Sequence, residues 1–395
     1  MHNMFRLIKM SCFVWILTGT LLASCGNEKA NGDQGGAVGN QDTGWTLLPF
    51  NKLDSVNPIL VPGTGRFFCP LRKKQVLWEQ KDVFNPAIVV RDQKVMMLYR
   101  AQDTSGRPGG TSRIGLAESP DGIHFTRRPE PVLFPGEDPW KKYEWEGGCE
   151  DPRVVEDSLG NYIMTYTAYD GKLARLMVAR SRDLIHWVKE GPAFAKASDG
   201  KYLDKWSKSG SIVSRYDGGK IIATRVHGKY WMYWGDQYIW AAVSDDLVNW
   251  QPVEMQQGEK PPVELRGQAL AMPDLKIVVP TRKKKFDSDL VESGPPAMLT
   301  DRGILLIYNA RNIPTIGDSS LAEGTYAAGE VLMDKNDPVR VIDRTADYFM
   351  RPDKPYERTG QVNQVCFLEG LARFRDMWFL YYGTADSKIA VAIKK

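Results

Sequence analysis

Short apolar runs that end in a polar group recur along the chain and form its clearest pattern. Each run alternates as a β-strand does, and four of the five contain a tyrosine at the matching position. The runs return every roughly 60–80 residues, and long helical patterns are absent. They are MMLYRAQD (96–103), IMTYTAYD (163–170), IIATRVHG (221–228), LLIYNARN (305–312) and FLYYGTAD (379–386). This repetition predicts five sheet-like units.

A second repeated element follows alternating apolar strands and contains an aspartate at a turn. It occurs as ESPDGIHF (118–125), SRDLIHW (181–187) and SDDLVNW (244–250). Aspartate suits such a turn because its side chain bonds the nearby backbone, and the final aromatic ring can fold back against the sheet. The element therefore predicts the same strand-to-turn geometry at three points.

Together the repeats predict an all-β fold, a five-bladed β-propeller. In a radial array the same part of every blade faces the central channel, so the polar ends of the five strands are expected to converge there. Two stacked β-sandwich domains are the structural alternative.

The N-terminus has the layout of a secretory signal. Arg6 and Lys9 precede the apolar run SCFVWILTGTLLAS, which is short for a membrane span. The run ends in Leu22-Ala23-Ser24-Cys25, which resembles a bacterial lipobox and implies lipidation of Cys25. An ordinary signal peptide that happens to contain a cysteine is the alternative.

The segment after Cys25 is rich in glycine and polar residues and suits a flexible tether. We therefore predict a signal peptide at 1–24, a tether at 25–48 and a catalytic propeller at 49–395. The expected product is an exported bacterial lipoprotein, in the periplasm or on the outer membrane, with its lipid anchor in the membrane.

Composition and charge narrow the classes of function. The chain is 43% apolar and 25% charged, enough to bury a large core. Its formal charge of +4 falls close to neutral once residues 1–24 are removed, so no nucleic-acid partner is predicted. Few cysteines and histidines follow Cys25, and their spacing suggests neither a disulfide framework nor a metal site. We expect no metal and no cofactor.

Candidate chemistry begins at YEWEGGCEDPRV (143–154), where four carboxylates crowd one bend. We interpret it as a loop that enters an inner strand at the channel mouth, stiffened by Pro152 and with Arg153 beside its acids. Carboxylates held near arginine in a polar, aromatic-lined cleft are what cleavage of a glycosidic bond requires. A solvated loop is the simpler alternative.

Several motifs, in order from about Asn57 to the C-terminus, resemble glycoside hydrolase family 130. They are FNPAIVV, LYRAQD, SRIGLAESPDGIHF, GCEDPRV, YIMTYTAYD, GPPAMLTDRGILLIY, YAAGEVLMD and YYGTADSKIAVA. The resemblance implies a five-bladed propeller that acts on β-mannosides. Most members of the family are inverting phosphorylases that release mannose 1-phosphate, and a smaller group are inverting hydrolases.

The resemblance also implies roles for individual residues. Asp151 matches the catalytic acid, which passes its proton through a hydroxyl of the bound mannose. Four further residues fall in motifs that line the mannose site, and Glu150 beside Asp151 is expected to join them. These four are Arg100, Ser112, Arg113 and Asp386.

Two departures from the family pattern favour hydrolysis over phosphorolysis. Asn309 stands where the phosphorylases typically have a histidine that helps to hold phosphate, and Glu292 replaces a glycine-rich stretch before the paired prolines. A carboxylate there would repel phosphate and could activate water. An exported protein would also lose the sugar phosphate that phosphorolysis yields.

The sequence offers two candidates for the catalytic base, and it leaves other functions open. Glu292 is the first candidate and Glu323 its rival. Lys208 and Arg225 could bind phosphate in a phosphorylase, or they could bind substrate hydroxyls or pair with the carboxylates. Asn309 is also expected to bind substrate. A third interpretation is a non-catalytic glycan-binding lipoprotein, in which the aromatic rings of KYWMYWGDQYIW (229–240) stack on sugars.

Overall fold

β-Strands form nearly all the regular structure of the computed structural model, which describes residues 44–107 and 109–395. Within those ranges the α-helices are two single turns, α1 (Lys141–Glu144) and α2 (Pro355–Arg358), with short 3-10 segments at Ala197–Gly200 and Gly267–Ala271. None of the helices in these ranges is long and apolar enough to cross a membrane. The predicted all-β class is confirmed.

Strands of the N-terminal half form two antiparallel groups, preceded by β1 and a small hairpin of β2 and β3. Group 1 contains β4–β7 and group 2 contains β8–β11. The bounds are β1 (Asn51–Lys52), β2 (Arg66–Cys69), β3 (Lys74–Leu77), β4 (Asp82–Arg91), β5 (Lys94–Gln102), β6 (Ser112–Ser119), β7 (Thr126–Arg127), β8 (Gly148–Glu156), β9 (Tyr162–Tyr169), β10 (Ala174–Ser181) and β11 (Trp187–Pro192).

Group 3 is less regular than its neighbours. Its sheet follows the order β12, β16, β17, β18, with β15 and β19 at its edges, and a β13–β14 hairpin interrupts it. The bounds are β12 (Ser211–Ile212), β13 (Ser214–Asp217), β14 (Lys220–Ala223), β15 (Arg225–Val226), β16 (Lys229–Trp234), β17 (Ile239–Ser244), β18 (Trp250–Pro252) and β19 (Ile277–Val279).

The C-terminal part completes the array. In group 4, β20 and β21 pair with β22, which leads to β23 and β24; in group 5, β25–β27 are joined at the edge by β1 from the other end of the chain. The bounds are β20 (Leu290–Ser293), β21 (Met298–Thr300), β22 (Gly303–Arg311), β23 (Tyr326–Asp334), β24 (Asp337–Arg344), β25 (Cys366–Phe374), β26 (Met377–Thr384) and β27 (Lys388–Lys394).

Apolar cores lie between neighbouring groups rather than inside each one. Side chains of groups 1 and 2 share one core, and the same holds for groups 2 and 3, 3 and 4, and 4 and 5. The last core joins group 5 to group 1, where Val83 also donates its backbone N–H to Ser387. The groups therefore follow one another in a ring of contacts, although the strand pairings do not join them into one closed sheet.

A buried tyrosine on the second strand donates its hydroxyl to a carboxylate in four of the groups. The donor–acceptor distances are 2.8–2.9 Å, and a cation from the fourth strand pairs with each carboxylate. Buried charges persist only when paired in this way. The sets are Tyr99–Glu79–Arg127, Tyr166–Glu144–Lys189, Tyr308–Asp287–Arg344 and Tyr382–Glu357–Lys52.

Group 3 contradicts one expectation from the repeats. Residues 221–228 do not form its second strand, because they are divided between β14 and β15 with Thr224 in the gap. The second strand is instead β16, whose Tyr233 donates to the carbonyl of Pro338 rather than to a carboxylate. The inserted hairpin displaced the true strand from the position that the spacing predicted.

The predicted aspartate turns are confirmed at all three points. Asp121, Asp183 and Asp246 each accept two backbone N–H bonds from the residues that follow. The indoles of Trp187 and Trp250 fold back and donate to the turn at 3.0 and 3.2 Å. Side-chain bonds of this kind fix the backbone of these three turns.

Removing the cation from one of the tyrosine–carboxylate sets should destabilise the fold. In Lys189→Met, the carboxylate of Glu144 keeps Tyr166 but loses an ammonium 2.6 Å away, while its own side chain is fully buried. We expect a loss of about 3–5 kcal/mol in the free energy of unfolding, measured by urea denaturation. Lys229→Met is the matched control, since its partner Asp245 is 69% exposed and the loss should stay below about 1 kcal/mol. Equal losses in the two variants would contradict this account.

Candidate active site

Asp151 lies in strand β8 rather than in the loop that the sequence suggested. The pairing of β8 with β9 shifts between Glu150 and Arg153, and Asp151 has a left-handed φ of 48°. In a regular strand neighbouring side chains point to opposite faces, whereas a bulge suspends that alternation. Glu150 and Asp151 therefore both reach one guanidinium.

Arg100, from β5, is that guanidinium. It donates to Glu150 Oε1 at 2.7 Å, to Asp151 Oδ1 at 3.0 Å and to Ser112 Oγ at 3.0 Å. Asn85 adds a fourth fixed contact, from its amide to Asp151 Oδ1 at 2.9 Å. A rigid planar fork of this kind fixes both carboxylates in position as well as in charge.

Lys208 connects the predicted acid to the predicted base. Its ammonium lies 3.6 Å from Asp151 Oδ2 and 3.1 Å from Glu292 Oε1, and Ser209 Oγ donates to the same oxygen of Glu292. Because one nitrogen contacts both, the two carboxylate oxygens are within about 7 Å of each other, close enough to act on one sugar. The structure thus brings Asp151, Glu292 and Lys208 together as the sequence predicted.

Opposing effects separate the pKa values of the carboxyl groups. Burial works against ionisation of Asp151, but Arg100 and Lys208 outweigh it and hold its pKa well below the usual range. Burial raises the pKa of Glu150, and it raises that of Asp386 to about 7, helped by the nearby charge of Asp151. Asp151 is therefore ionised in this site, next to Asp386, whose carboxyl group keeps its proton up to about pH 7.

A third carboxyl group, Asp236, faces the same lysine and was missed by the sequence reasoning. Burial and the charge of Glu292 raise its pKa to about 6, against the opposing pull of Lys208. Asp236 Oδ2 accepts from the indole of Trp206 at 3.0 Å, and that indole meets Tyr169 edge-on at 6.4 Å. The signal in the sequence that could have identified Asp236 is that it is the single acid within the aromatic segment 229–240.

Two of the predicted substrate-binding residues are directed elsewhere. Arg113 follows Ser112 in β6, so its side chain takes the other face, where it is 1% exposed and donates to Asp103 at 2.8 Å. Asn309 joins two groups, because its side chain donates to the carbonyl of Leu368 at 2.9 Å and accepts from its N–H at 2.8 Å. Neither contacts Asp151.

Two other candidates lie at the surface. Arg225 is 44% exposed and donates to the carbonyls of Gly228 and Asp245, both at 2.6 Å. Glu323 is exposed in the turn before β23, so the structure brings Glu292 and not Glu323 to Lys208. Cys25, the predicted lipidation site, lies outside the described residues.

Metal-ligand geometry is absent from the part of the chain that the structure describes. No group of three or more His, Cys, Asp or Glu side chains in those ranges is arranged to hold an ion. Cys69, Cys149 and Cys366 are buried and free.

Comparison with known proteins gives a consistent result over nearly the whole described chain. Residues 71–395 match a family model described as glycoside hydrolase 130, β-1,4-mannooligosaccharide phosphorylase. A 1,2-β-oligomannan phosphorylase of Thermoanaerobacter sp. (strain X514) is 30% identical over 346 residues, which is 86% of this chain and 95% of the relative.

Solved structures are more similar still. A glycosyl hydrolase from Bacteroides ovatus is 42% identical with a TM-score of 0.84, covering 90% of this chain and 96% of its own. Another is 43% identical with a TM-score of 0.83, covering 89% of this chain and 95% of its own. It comes from work showing that this family of mannoside phosphorylases contains hydrolases that target β-1,2 mannosidic linkages in Candida mannan.

The raised pKa of Asp386 gives a pH-dependent contribution to stability. Between its ordinary value of 3.8 and its folded value of about 7, the folded protein holds a proton that the unfolded chain has released. Wild-type stability should therefore fall as pH rises through this window, and Asp386→Asn should be free of that loss. In melting curves recorded from about pH 4 to about pH 8, the melting temperature of the variant should rise relative to wild type. A constant difference across that range would contradict the raised pKa.

Proposed function

The chain belongs to glycoside hydrolase family 130, and on that basis we propose that it is an inverting hydrolase that releases mannose from β-mannosides, with β-1,2-linked manno-oligosaccharides as its substrates. The observation that carries this proposal is the position of Lys208, shared between Asp151 and Glu292. The similar structure associated with hydrolases of β-1,2 linkages supports the choice of linkage.

Phosphate would meet an unfavourable charge balance in this site. The two cations nearest Asp151, Arg100 and Lys208, are already paired with carboxylates. A dianion would have to displace those partners and approach Glu292, whereas a neutral sugar and a water can use the same groups as donors and acceptors. β-Mannoside phosphorolysis is the alternative, favoured by the phosphorylases among the relatives.

In the proposed reaction, one carboxyl group acts as the acid and another, on the opposite side of the sugar, acts as the base. Asp151 supplies the proton that the leaving-group oxygen takes up, relayed through a hydroxyl of the bound mannose. Glu292 removes a proton from water as that water attacks the anomeric carbon from the opposite face and the glycosidic C–O bond breaks, so the product is α-mannose. Sugar hydroxyls that take over the donors of Arg100 and Lys208 would raise the pKa of Asp151 and allow it to carry the proton.

Architecture and location complete the proposal. We propose that the five groups are the blades of a five-bladed propeller, supported by the cores that join each group to the next and the last to the first. We also propose, from the sequence of residues 1–48 alone, that the enzyme is an exported lipoprotein anchored through Cys25, in the periplasm or at the outer membrane.

Product analysis with and without inorganic phosphate tests the proposed reaction. On β-1,2-linked mannobiose and longer oligomers, we expect free mannose at the same rate in both buffers, and NMR during the first turnovers should detect the α-anomer. The β-1,4-linked oligomers serve as the comparison for linkage. Mannose 1-phosphate formed only in the presence of phosphate would establish the alternative and refute hydrolysis.

Substitution of the two carboxyl groups should stop turnover without abolishing affinity. Asp151→Asn and Glu292→Gln should each lower kcat by about 10²–10⁴-fold, since each removes one proton-transfer step. Isothermal titration should still detect mannobiose binding to both variants. Glu323→Gln is the matched control for the base and should retain wild-type kcat. A binding protein without catalytic activity would instead show no turnover even before substitution.

A further inference from the structure

Glu369 is a buried carboxyl group that the proposed reaction does not use. It lies in β25 where the pairing with β26 shifts between Leu368 and Gly370, and it is completely inaccessible to solvent. Neither of its oxygens accepts a hydrogen bond within the described residues, and its nearest cation is Arg153 at 3.5 Å. A buried acid left without hydrogen bonds is costly, so its retention calls for an explanation.

Arg153 connects this acid to both strands that carry the catalytic pair. Its guanidinium donates to the carbonyl of Ser293 at 2.6 Å and to that of Gly294 at 2.7 Å, directly after Glu292. It also donates to the carbonyl of Asp151 itself, at 3.4 Å. One rigid side chain therefore joins the backbone of the acid to the backbone next to the base.

The contacts span three groups of the fold. Asp151 and Arg153 belong to β8 in group 2, Glu292 and Ser293 to β20 in group 4, and Glu369 to β25 in group 5. No strand pairing joins β8 directly to β20 or β25. Strand pairing links β8 to β20 only indirectly, through β14, β13, β21 and β22. Side chains at this junction add a direct link between acid and base, and a planar guanidinium is suited to it because its donors have a set geometry.

We propose that Glu369 is a positioning residue that orients Arg153 and, through it, sets the spacing between Asp151 and Glu292. The inference rests on the proposed function, since it assigns Asp151 and Glu292 as acid and base. Glu369 Oε1 lies 3.5 Å from Arg153 Nη1, the same nitrogen that faces the carbonyl of Asp151. Removal of the Glu369 side chain would let the guanidinium turn away from one of the two catalytic strands.

Kinetics of Glu369→Ala and Glu369→Gln in the full chain test this role. We expect the alanine variant to lose about 10–100-fold in kcat with KM changed by less than about threefold, as small displacements of catalytic groups do. Glutamine keeps the shape and an acceptor oxygen for Arg153, so Glu369→Gln should stay within about threefold of wild-type kcat. Glu357→Ala is the matched control, because Glu357 is equally buried and pairs with Lys52 instead. It should lower the melting temperature and leave kcat unchanged.

Each outcome bears on the proposal. A kcat of Glu369→Ala equal to that of Glu357→Ala would overturn it, and so would a glutamine variant as impaired as the alanine variant. Wild-type protein that releases no free mannose would refute the proposed function instead. In that case a crystal structure of Glu369→Ala decides separately: Arg153 displaced from the carbonyl of Asp151 or Ser293 supports positioning, and an unmoved Arg153 refutes it.

Discussion

Carboxyl groups outnumber cations in the candidate active site, and the properties of the site depend on that imbalance. Six carboxyl groups meet three cations there: Glu150, Asp151, Asp236, Glu292, Glu369 and Asp386 against Arg100, Arg153 and Lys208. Acids held close together in a buried space do not all ionise, so some retain protons near neutral pH. The crowding raises the pKa of Asp236 and Asp386 while Asp151 stays ionised, and it supports the proposed preference for water over phosphate.

Six candidate residues named from the sequence lie close together in the structure, four of them in the family motifs and two, Lys208 and Glu292, outside those motifs. Arg100, Ser112, Glu150, Asp151, Lys208 and Glu292 do converge. The motifs did not reveal the direction of each side chain. Arg113 was predicted at the mannose site with Ser112, although strand alternation places the two side chains on opposite faces. Asp236 and Glu369 were missed because each stands alone in an apolar segment, and a single acid in a strand acquires meaning only when its neighbours in space are known.

The repeats predicted the fold well where each unit is regular and failed where one is not. Tyr99, Tyr166, Tyr308 and Tyr382 mark equivalent second strands because each must deliver its hydroxyl to a buried carboxylate. In group 3 no such carboxylate exists to constrain the spacing, and the hairpin of β13 and β14 occupies the expected position. The regular spacing of the tyrosines thus follows from the need to pair each hydroxyl with a buried carboxylate. The spacing is lost in group 3, where that need is absent.

Bulges explain how a repeated architecture produces a site with no symmetry. The register shifts at Asn85 in β4, at Asp151 in β8 and at Glu369 in β25, each on the first strand of its group. A bulge redirects one side chain without altering the rest of the ladder. Asn85 then donates to Asp151, Asp151 meets Arg100 and Lys208, and Glu369 contacts Arg153. A bulge at the corresponding place in three first strands therefore directs three different side chains: the amide of Asn85, the ionised carboxylate of Asp151 and the buried carboxyl group of Glu369. These side chains differ in charge, and that difference separates the roles of positions that are otherwise equivalent.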